Sequence, residues 1–451
     1  MEALLEKLKR TPPFKFLYKV PGLINLYHLV MAFLAALWYG FPSRKLTVIG
    51  VTGTKGKTST CDLIAQILEG AGHRVGLITT VRCKIGNAEF TNRTKQTMPG
   101  RFELQRMLRD MAESGSDYAI VETSSEGILQ HRHRFISYQV AVFTNLSPEH
   151  IERHGSFEKY REAKRKLFEE AGRRAHSIGV YNLDDAEVPH FLAPEAPELK
   201  VSYGYAVKQK IPSSRFRVSR QFQIARVKLG KKETEFKMEG EIFRMPLLGE
   251  FNVYNAGAAI CVALSQGIPL GEIRQAVGRA VPPPGRLEII NRGQSFTVIV
   301  DYAHEPMSLE AAYKAARLFR PRRLICLLGS QGGGRDRWKR GAMGEVAARY
   351  CDEIVLASED PYDEDPLEIL KDIEKGVLRV DRRKKLHKIP DRREAIEYAI
   401  SLAKPQDAVL FTGKGGEVWM CVSGGRKVPW NERGVVEGIL EKLVKKERAQ
   451  N

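Results

Sequence analysis

The sequence has no apolar run long enough to cross a bilayer: the longest, Leu29 to Tyr39, falls well short of the ~20 residues a spanning helix needs. It reads as a core or interfacial helix. The six cysteines (Cys61, Cys83, Cys261, Cys326, Cys351, Cys421) contain no C-x-x-C pair and no disulfide-framework spacing, so neither a zinc site nor a stapled secreted domain is expected. The opening MEALLEKLKRTPPFKFLYKVPG is mixed in charge and broken by prolines, unlike a cleavable signal. A reducing cytoplasm fits these absences best. Internal repeats and low-complexity tracts are also missing, and no recognition motif for nucleic acid accompanies the basic charge.

What is present is an ordinary enzyme composition with a strong charge bias. The 451 residues are 43% hydrophobic, enough for two or three domains with their own cores. A net charge of +18, from 72 basic and 54 acidic residues, favours anionic partners without choosing among nucleotides, acidic metabolites and membrane surfaces.

The chain is organised around Leu46 to Ala71. Leu46, Val48, Ile49 and Val51 form a short β-branched run, and Leu63, Ile64, Ile67, Leu68 and Ala71 recur at helical spacing. Between them lies Gly53-Thr54-Lys55-Gly56-Lys57-Thr58-Ser59. Two glycines let the backbone N–H groups turn inward at the positive end of the following helix, where phosphate oxygens bind. Lys57 is placed to reach the outer phosphates, and Thr58 offers the hydroxyl that coordinates Mg²⁺ in P-loop enzymes. Val51 stands where the general G-x-x-x-x-G-K-[ST] pattern has its first glycine, leaving the tighter G-x-x-G-K-[ST]. A glycine turn with a solvated lysine is the plainer reading, disfavoured by a strand and a helix on either side.

Residues 1–45 read as a helical segment, 46–283 as a P-loop α/β domain with a mostly parallel sheet, and 284–451 as a smaller Rossmann-like α/β domain. Strands expected at Tyr118–Val121 and Val140–Phe143 deliver Glu122 and His150 at their carboxyl ends, where α/β sheets place ligands. With Lys57 and Thr58 these could hold one or two Mg²⁺ ions on a triphosphate. Arg215 to Leu229 alternates as a half-exposed hairpin. Pro282-Pro283-Pro284-Gly285 is the clearest hinge, followed by strands at Thr297–Val300, Leu324–Leu328, Glu353–Leu356 and Ala408–Phe411.

GVTGTKGKTST, ETSSEGILQHR, FTNLSPEHIERHG, GEFNVYNAGAA, DYAHEPMSLE, GSQGGGRDRWKRGAMG and FTGKGGE stand in one order from residue 46 to about residue 435, and in them the chain resembles the Mur ligase family. Within it the likeness is to the tripeptide synthetases that add the third residue of the peptidoglycan stem peptide. The resemblance implies a cytoplasmic, monomeric ligase that uses ATP and two Mg²⁺ ions to join an amino acid to a muramyl-peptide acceptor through an acyl phosphate. Thr58 and Glu122 would hold one ion, and His150 with Glu122 the second. Lys164 falls where the family carries a carbamylated lysine, an anionic oxygen donor to metal; as read from sequence alone it is one lysine in the basic run Arg161 to Lys166. Asn252 and Asn255 match adenine-side positions, and Arg286 and Asp301 contacts to phosphate and ribose. Ser124, Gln130 and Arg132, and more loosely Thr97 and Met98, match acceptor positions. Arg335 matches the arginine that takes the amino acid's carboxylate, Asp360 lies in the amino-acid motif, and Gly413 and Glu417 close the site. Closure about residues 282–285 would assemble it.

The chain departs from the family pattern in several places. Lys55 replaces an asparagine, Glu126 and Gly416 replace histidines, and the amino-acid motif Asp-Asn-Pro-Arg reads Glu359-Asp360-Pro361-Tyr362. With Asp363, Glu364 and Asp365 alongside, a cationic amino acid such as lysine or ornithine is one expectation; a helix cap before Pro366 is the other. A separate UDP-binding domain is not expected in the 45 residues ahead of the first strand. Other acceptors of the same fold, folate-type, polymer or lipid-linked, stay open, as does a subunit that merely binds ATP. Leu23, Leu26, Tyr27, Val30, Leu34, Leu37 and Trp38 form a helical apolar stripe flanked by basic residues. Such a helix lies on an anionic membrane or packs on the enzyme's own core; the thin polar face around Ala32 to Tyr39 favours packing.

Overall fold

The computed structural model describes residues 21–149, 151–192, 199–208, 218–334 and 336–450. Its centre is β1 (Thr47–Thr52), whose Val48, Ile49 and Val51 are fully buried, as a strand covered on both faces requires. β1 pairs in parallel with β5 (Tyr118–Glu122) on one side and β6 (Tyr138–Phe143) on the other, with Val51 opposite Glu122 and Thr52 opposite Phe143. The remaining strands are β2 (Val75–Ile78), β3 (Arg82–Ile85), β4 (Ala88–Thr91), β7 (Ile178–Asn182), β8 (Val201–Ala206) and β9 (Arg220–Gln223). Their order is β4-β3-β2-β5-β1-β6-β7-β8-β9, antiparallel only at β2–β3 and β3–β4. The carboxyl end of β1 thus lies between strands reached by opposite crossovers, where a ligand crevice opens.

Each face of the sheet has its own core. Ile64 and Leu68 of helix Lys57–Gly70 pack with Val253 and Ile260 of helix Glu250–Ser265 on one side. Leu104, Met107 and Leu108 of helix Arg101–Glu113 and Leu167 and Phe168 of helix Phe157–Gly172 cover the other.

The expected hairpin over 215–229 does not form among the described residues. β9 joins the large sheet beside β8, whereas β10 (Ala225–Leu229) pairs with β11 (Thr234–Met238) and β12 (Glu241–Met245) in a separate antiparallel sheet. Ile224, fully buried between them, pins the crossover, its N–H donating to Ala206 O at 2.8 Å. Alternation correctly marks extended chain; it does not say which partner each strand finds.

The second sheet contains β13 (Glu288–Ile290), β14 (Thr297–Val300), β15 (Leu324–Leu328), β16 (Glu353–Leu356), β17 (Lys385–Lys388) and β18 (Ala408–Phe411), in the order β13-β14-β18-β15-β16-β17. β13 alone is antiparallel to its neighbour. The cysteine spacing does not reveal one pairing: Cys326 on β15 and Cys351 after helix Lys339–Tyr350 form a disulfide. Twenty-five residues separate them in sequence, and the strand–helix–strand crossover brings their Cα atoms to 6.0 Å.

Ahead of β1 runs helix Pro21–Trp38, packed on helix Arg101–Glu113. Its inward residues are small: Ala32, Ala35 and Ala36 are buried. Leu23, Leu26, Val30, Leu34, Leu37 and Trp38 are exposed, so the apolar stripe does not serve as the packing face. Among the described residues, no helix is long and apolar enough to cross a membrane.

Candidate active site

The glycine loop leaves β1 at Gly53 and enters its helix at Lys57, capped by Gly56 with φ 80°. Both glycines are required sterically. A Cβ at Gly53 would sit 1.9 Å from Thr144 Oγ1, and one at Gly56 2.4 Å from Asn255 Oδ1. Thr144 and Asn145, at the end of β6, brace the loop: Thr144 Oγ1 donates to Lys55 O at 2.7 Å, and Lys55 N donates to Asn145 Oδ1 at 2.9 Å.

Lys57 folds back so that Nζ donates to Gly53 O and Thr54 O at 3.1 and 2.9 Å. Burial holds its pKa below the ordinary lysine value. Lys164 reaches the same loop from helix Phe157–Gly172, donating to Gly53 O at 2.7 Å over the Tyr160 ring. It is 1% exposed, so it is no surface lysine. Burial first, and then Lys57, press its pKa far down. Thr58 Oγ1 donates to Glu122 Oε2 at 3.0 Å, and Thr80 N donates to the same oxygen at 2.8 Å. Loop lysines, hydroxyl and strand-end carboxylate therefore converge, as the sequence indicates. His150 and Arg335 lie outside the described residues.

The other half of the cleft comes from the second sheet. Arg286 lies over the Tyr302 ring, and its Nη2 donates to Thr58 Oγ1 at 3.4 Å. Lys55, the residue in place of an asparagine, pairs with Glu149 at 3.0 Å and with Glu305 of the C-terminal half at 3.3 Å. Burial alone would lower its pKa; the two carboxylates outweigh it and raise it. The two halves close round a cleft of about 540 Å³. Thr54, Ser59, Thr97, Met98 and Ser124 line it, as do Gln130, Arg132 and Glu417. Arg132 is held by Gln130 Oε1 at 2.7 Å and by Met98 O, and its pKa falls to about 10, chiefly by burial. Ser124 caps helix Ser125–Leu129, accepting from Gly127 N at 3.2 Å.

Other expected residues stand behind the wall. Asn252 and Asn255 are buried and bonded to each other at 2.9 Å, supporting the loop from below. Asp301 commits both carboxylate oxygens to backbone, accepting from Leu287 N and Ala303 N at 2.8 Å each. Gly413, with φ 105°, lies against Glu359. Asp360 is fully buried, taking Lys414 Nζ at 3.0 Å, Cys421 N at 2.7 Å, and Lys95 from the other half of the molecule. Burial would raise its pKa, but Lys414 and Lys95 more than offset this and lower it.

Lys95 and Lys414 were not evident from the sequence, since Lys95 stands in an unremarkable loop and meets its partners only through the fold. Glu359 is a further surprise: it is fully buried, and neither oxygen finds a hydrogen-bond partner among the described residues. Burial raises its pKa. The acidic run that suggested a cationic substrate is consumed locally. Asp363 accepts from Gly424 N, Glu364 from Gly334 N and Arg340, and Asp365 caps helix Pro366–Val380 through Leu367 N. The capping reading thus holds for Asp365.

The cradle fits a triphosphate with Mg²⁺. Its glycines leave backbone room that any side chain would fill, and its donors are lysines, a hydroxyl and a carboxylate.

Comparison with known proteins agrees with this geometry. Residues 51–263 match the Mur ligase middle domain, and residues 285–415 the Mur ligase glutamate ligase domain. The chain is 38% identical over 418 residues to the UDP-N-acetylmuramoyl-L-alanyl-D-glutamate–2,6-diaminopimelate ligase of Geobacillus thermodenitrificans, covering 91% of this chain and 82% of that one. It is 38% identical over 427 residues to the UDP-N-acetylmuramyl-tripeptide synthetase of a Roseiflexus species, covering 92% and 82%. A solved UDP-N-acetylmuramoyl-L-alanyl-D-glutamate–2,6-diaminopimelate ligase aligns with a TM-score of 0.57 at 30% identity, over 88% of this chain and 79% of that one. Folylpolyglutamate synthase from Mycobacterium tuberculosis shares the fold, with a TM-score of 0.67 at 19% identity over 92% and 95%. The chain belongs to the Mur ligase family of ATP-dependent, ADP-forming amide ligases.

Proposed function

We propose that the protein joins an amino acid to the carboxylate of a muramyl-peptide acceptor in peptidoglycan precursor synthesis, acting as a monomer. Residues 46–283 bind ATP and acceptor, and residues 284–451 close over them with the amino acid. The convergence of Lys57, Thr58, Glu122 and Lys164 beneath Arg286 carries this reading. In the first step an acceptor carboxylate oxygen bonds to the γ-phosphorus and the bond to the β–γ bridging oxygen breaks, releasing ADP. In the second, the amine attacks the acyl carbon, phosphate leaves, and the ammonium proton is lost. Both steps develop negative charge on phosphate oxygens, and fixed cations preorganised in a water-poor cleft lower such barriers most.

Lys57 and Arg286 supply that charge from opposite halves, so chemistry awaits closure. Thr58 and Glu122, with His150 and a carbamylated Lys164, are the residues to hold two Mg²⁺ ions. When bound, Mg²⁺ supplies Lewis-acid stabilisation of the phosphoryl oxygens. Lys164 suits carbamylation because a depressed pKa leaves the neutral amine that attacks CO₂. Gln130 and Arg132 orient the acceptor, while Asn252 and Asn255 hold the loop that receives the nucleotide.

The test is a matrix of amino acids against muramyl acceptors, read by phosphate release and product mass. Stoichiometric ADP, phosphate and a condensed product are expected with a muramyl dipeptide acceptor. ATP hydrolysis without any condensed product across the matrix would reject the assignment.

A further inference from the structure

We propose that helix Pro21–Trp38 is a docking face for an anionic membrane surface. The helix, PGLINLYHLVMAFLAALW, contains no charged residue. It lies on the protein through alanines, and turns its large side chains outward. Leu26 is 55% exposed, Leu37 53% and Trp38 70%. Leu23, Val30, Phe33 and Leu34 complete the same side, each more than 40% exposed. A contiguous apolar face of this kind marks an interaction site, since stability would have placed the leucines inward and the alanines out.

The helix is nevertheless firmly held. Asn25 Oδ1 meets His131 Nε2 at 2.6 Å, His28 Nδ1 meets Arg101, and Phe33 packs edge-on against Phe135 at 5.4 Å between centroids. An apolar face presented on a fixed platform inserts into a bilayer interface at little ordering cost.

Charge selects the occupant. Arg44 and Lys45 are exposed just beyond the helix, and residues 1–20 ahead of it contain five basic and two acidic residues. The whole chain carries +18. A second copy would bring the same positive charge to the contact and be repelled, whereas anionic lipid adds attraction to apolar burial.

The position has a consequence. Arg101, which holds His28, also donates from Nε to Gln130 O at 3.0 Å, so the helix stands one residue away from the acceptor end of the cleft. Docking would bring that end to the bilayer, where a lipid-linked acceptor presents its peptide. This consequence rests on the ligase reading; docking does not.

Flotation of the full chain with vesicles of equimolar phosphatidylglycerol and phosphatidylcholine tests it, against phosphatidylcholine alone and against a Leu26→Gln/Leu37→Gln/Trp38→Gln variant. The wild type should float with anionic vesicles and bind the neutral ones far less. The variant should partition roughly tenfold more weakly or worse, with unchanged melting temperature and unchanged ligation of a water-soluble acceptor. Failure of the wild type to float, or equal flotation of the variant, overturns docking while leaving the ligase assignment to its own assay. A dimer that the variant dissociates, without vesicle binding, assigns the face to a second copy and also overturns it. Vesicle binding only after deletion of residues 1–20 assigns the face to the chain's own start, and docking by the full chain is overturned in that case too.

Discussion

The glycine-loop cradle and the Asp360 end of the cleft use their charged groups in opposite ways. In the cradle, Lys57 points at backbone carbonyls, so its charge is held in place without being cancelled, and Lys164 meets Gly53 O beside it with no carboxylate bonded to its amine. At the far end, Lys95, Lys414, Asp360 and Glu417 satisfy one another, with Lys414 Nζ at 3.0 Å from Asp360 and 2.6 Å from Glu417. A group held by neutral dipoles remains available to an incoming anion; a group held by its counter-ion is part of the architecture. Substitutions should therefore cost rate at one end and stability at the other.

The largest effect is expected at Lys414→Met. It leaves the fully buried Asp360 with Lys95 and the Cys421 N–H but without its Lys414 partner, and breaking a buried pair costs about 3–5 kcal/mol. Urea unfolding should show the loss, and an undiminished midpoint would mean that the knot is not structural.

At the cradle, Lys57→Ala and Glu122→Ala should lower the ligation rate by on the order of 10² to 10³ with little change in melting temperature. Turnover near the wild-type rate in either variant would erase the contrast between the two ends.

Lys164 adds a pH signature. Its folded-state pKa lies well below the ordinary 10.5, so between the two values the unfolded chain binds a proton that the folded chain does not. Stability in CO₂-free buffer should rise with pH up to about 10.5, and Lys164→Met should lack that part of the slope. Superimposable pH profiles of the two proteins would show that the amine is not buried uncharged. If it carries a carbamate during catalysis, the Lys164→Ala variant should be inactive and partly rescued by short-chain carboxylates.

The smallest effect belongs to the acidic run. Because Asp363 already accepts from Gly424 N, Asp363→Asn should change the preference between lysine and diaminopimelate by less than about 1 kcal/mol in kcat/KM. A larger swing toward either amino acid would restore the charge argument.

The α/β class, the loop and its neighbours are legible in the residues alone, because they depend on local rules: glycines where no side chain fits, a β-branched strand before, a helical period after. The same rules put Glu122 at a strand end, which follows from the length of β5. Pairing over distance is what they leave undecided. That β9 and β10 part company, that Cys326 meets Cys351, that Lys95 crosses to Asp360 and that Lys55 bridges Glu149 and Glu305 each require two segments whose approach no local period encodes. The first helix shows the division most plainly. Its apolar stripe is legible at helical spacing, but which side faces the protein was decided by fit: the alanines allow close approach to helix Arg101–Glu113, and the leucines are left facing out.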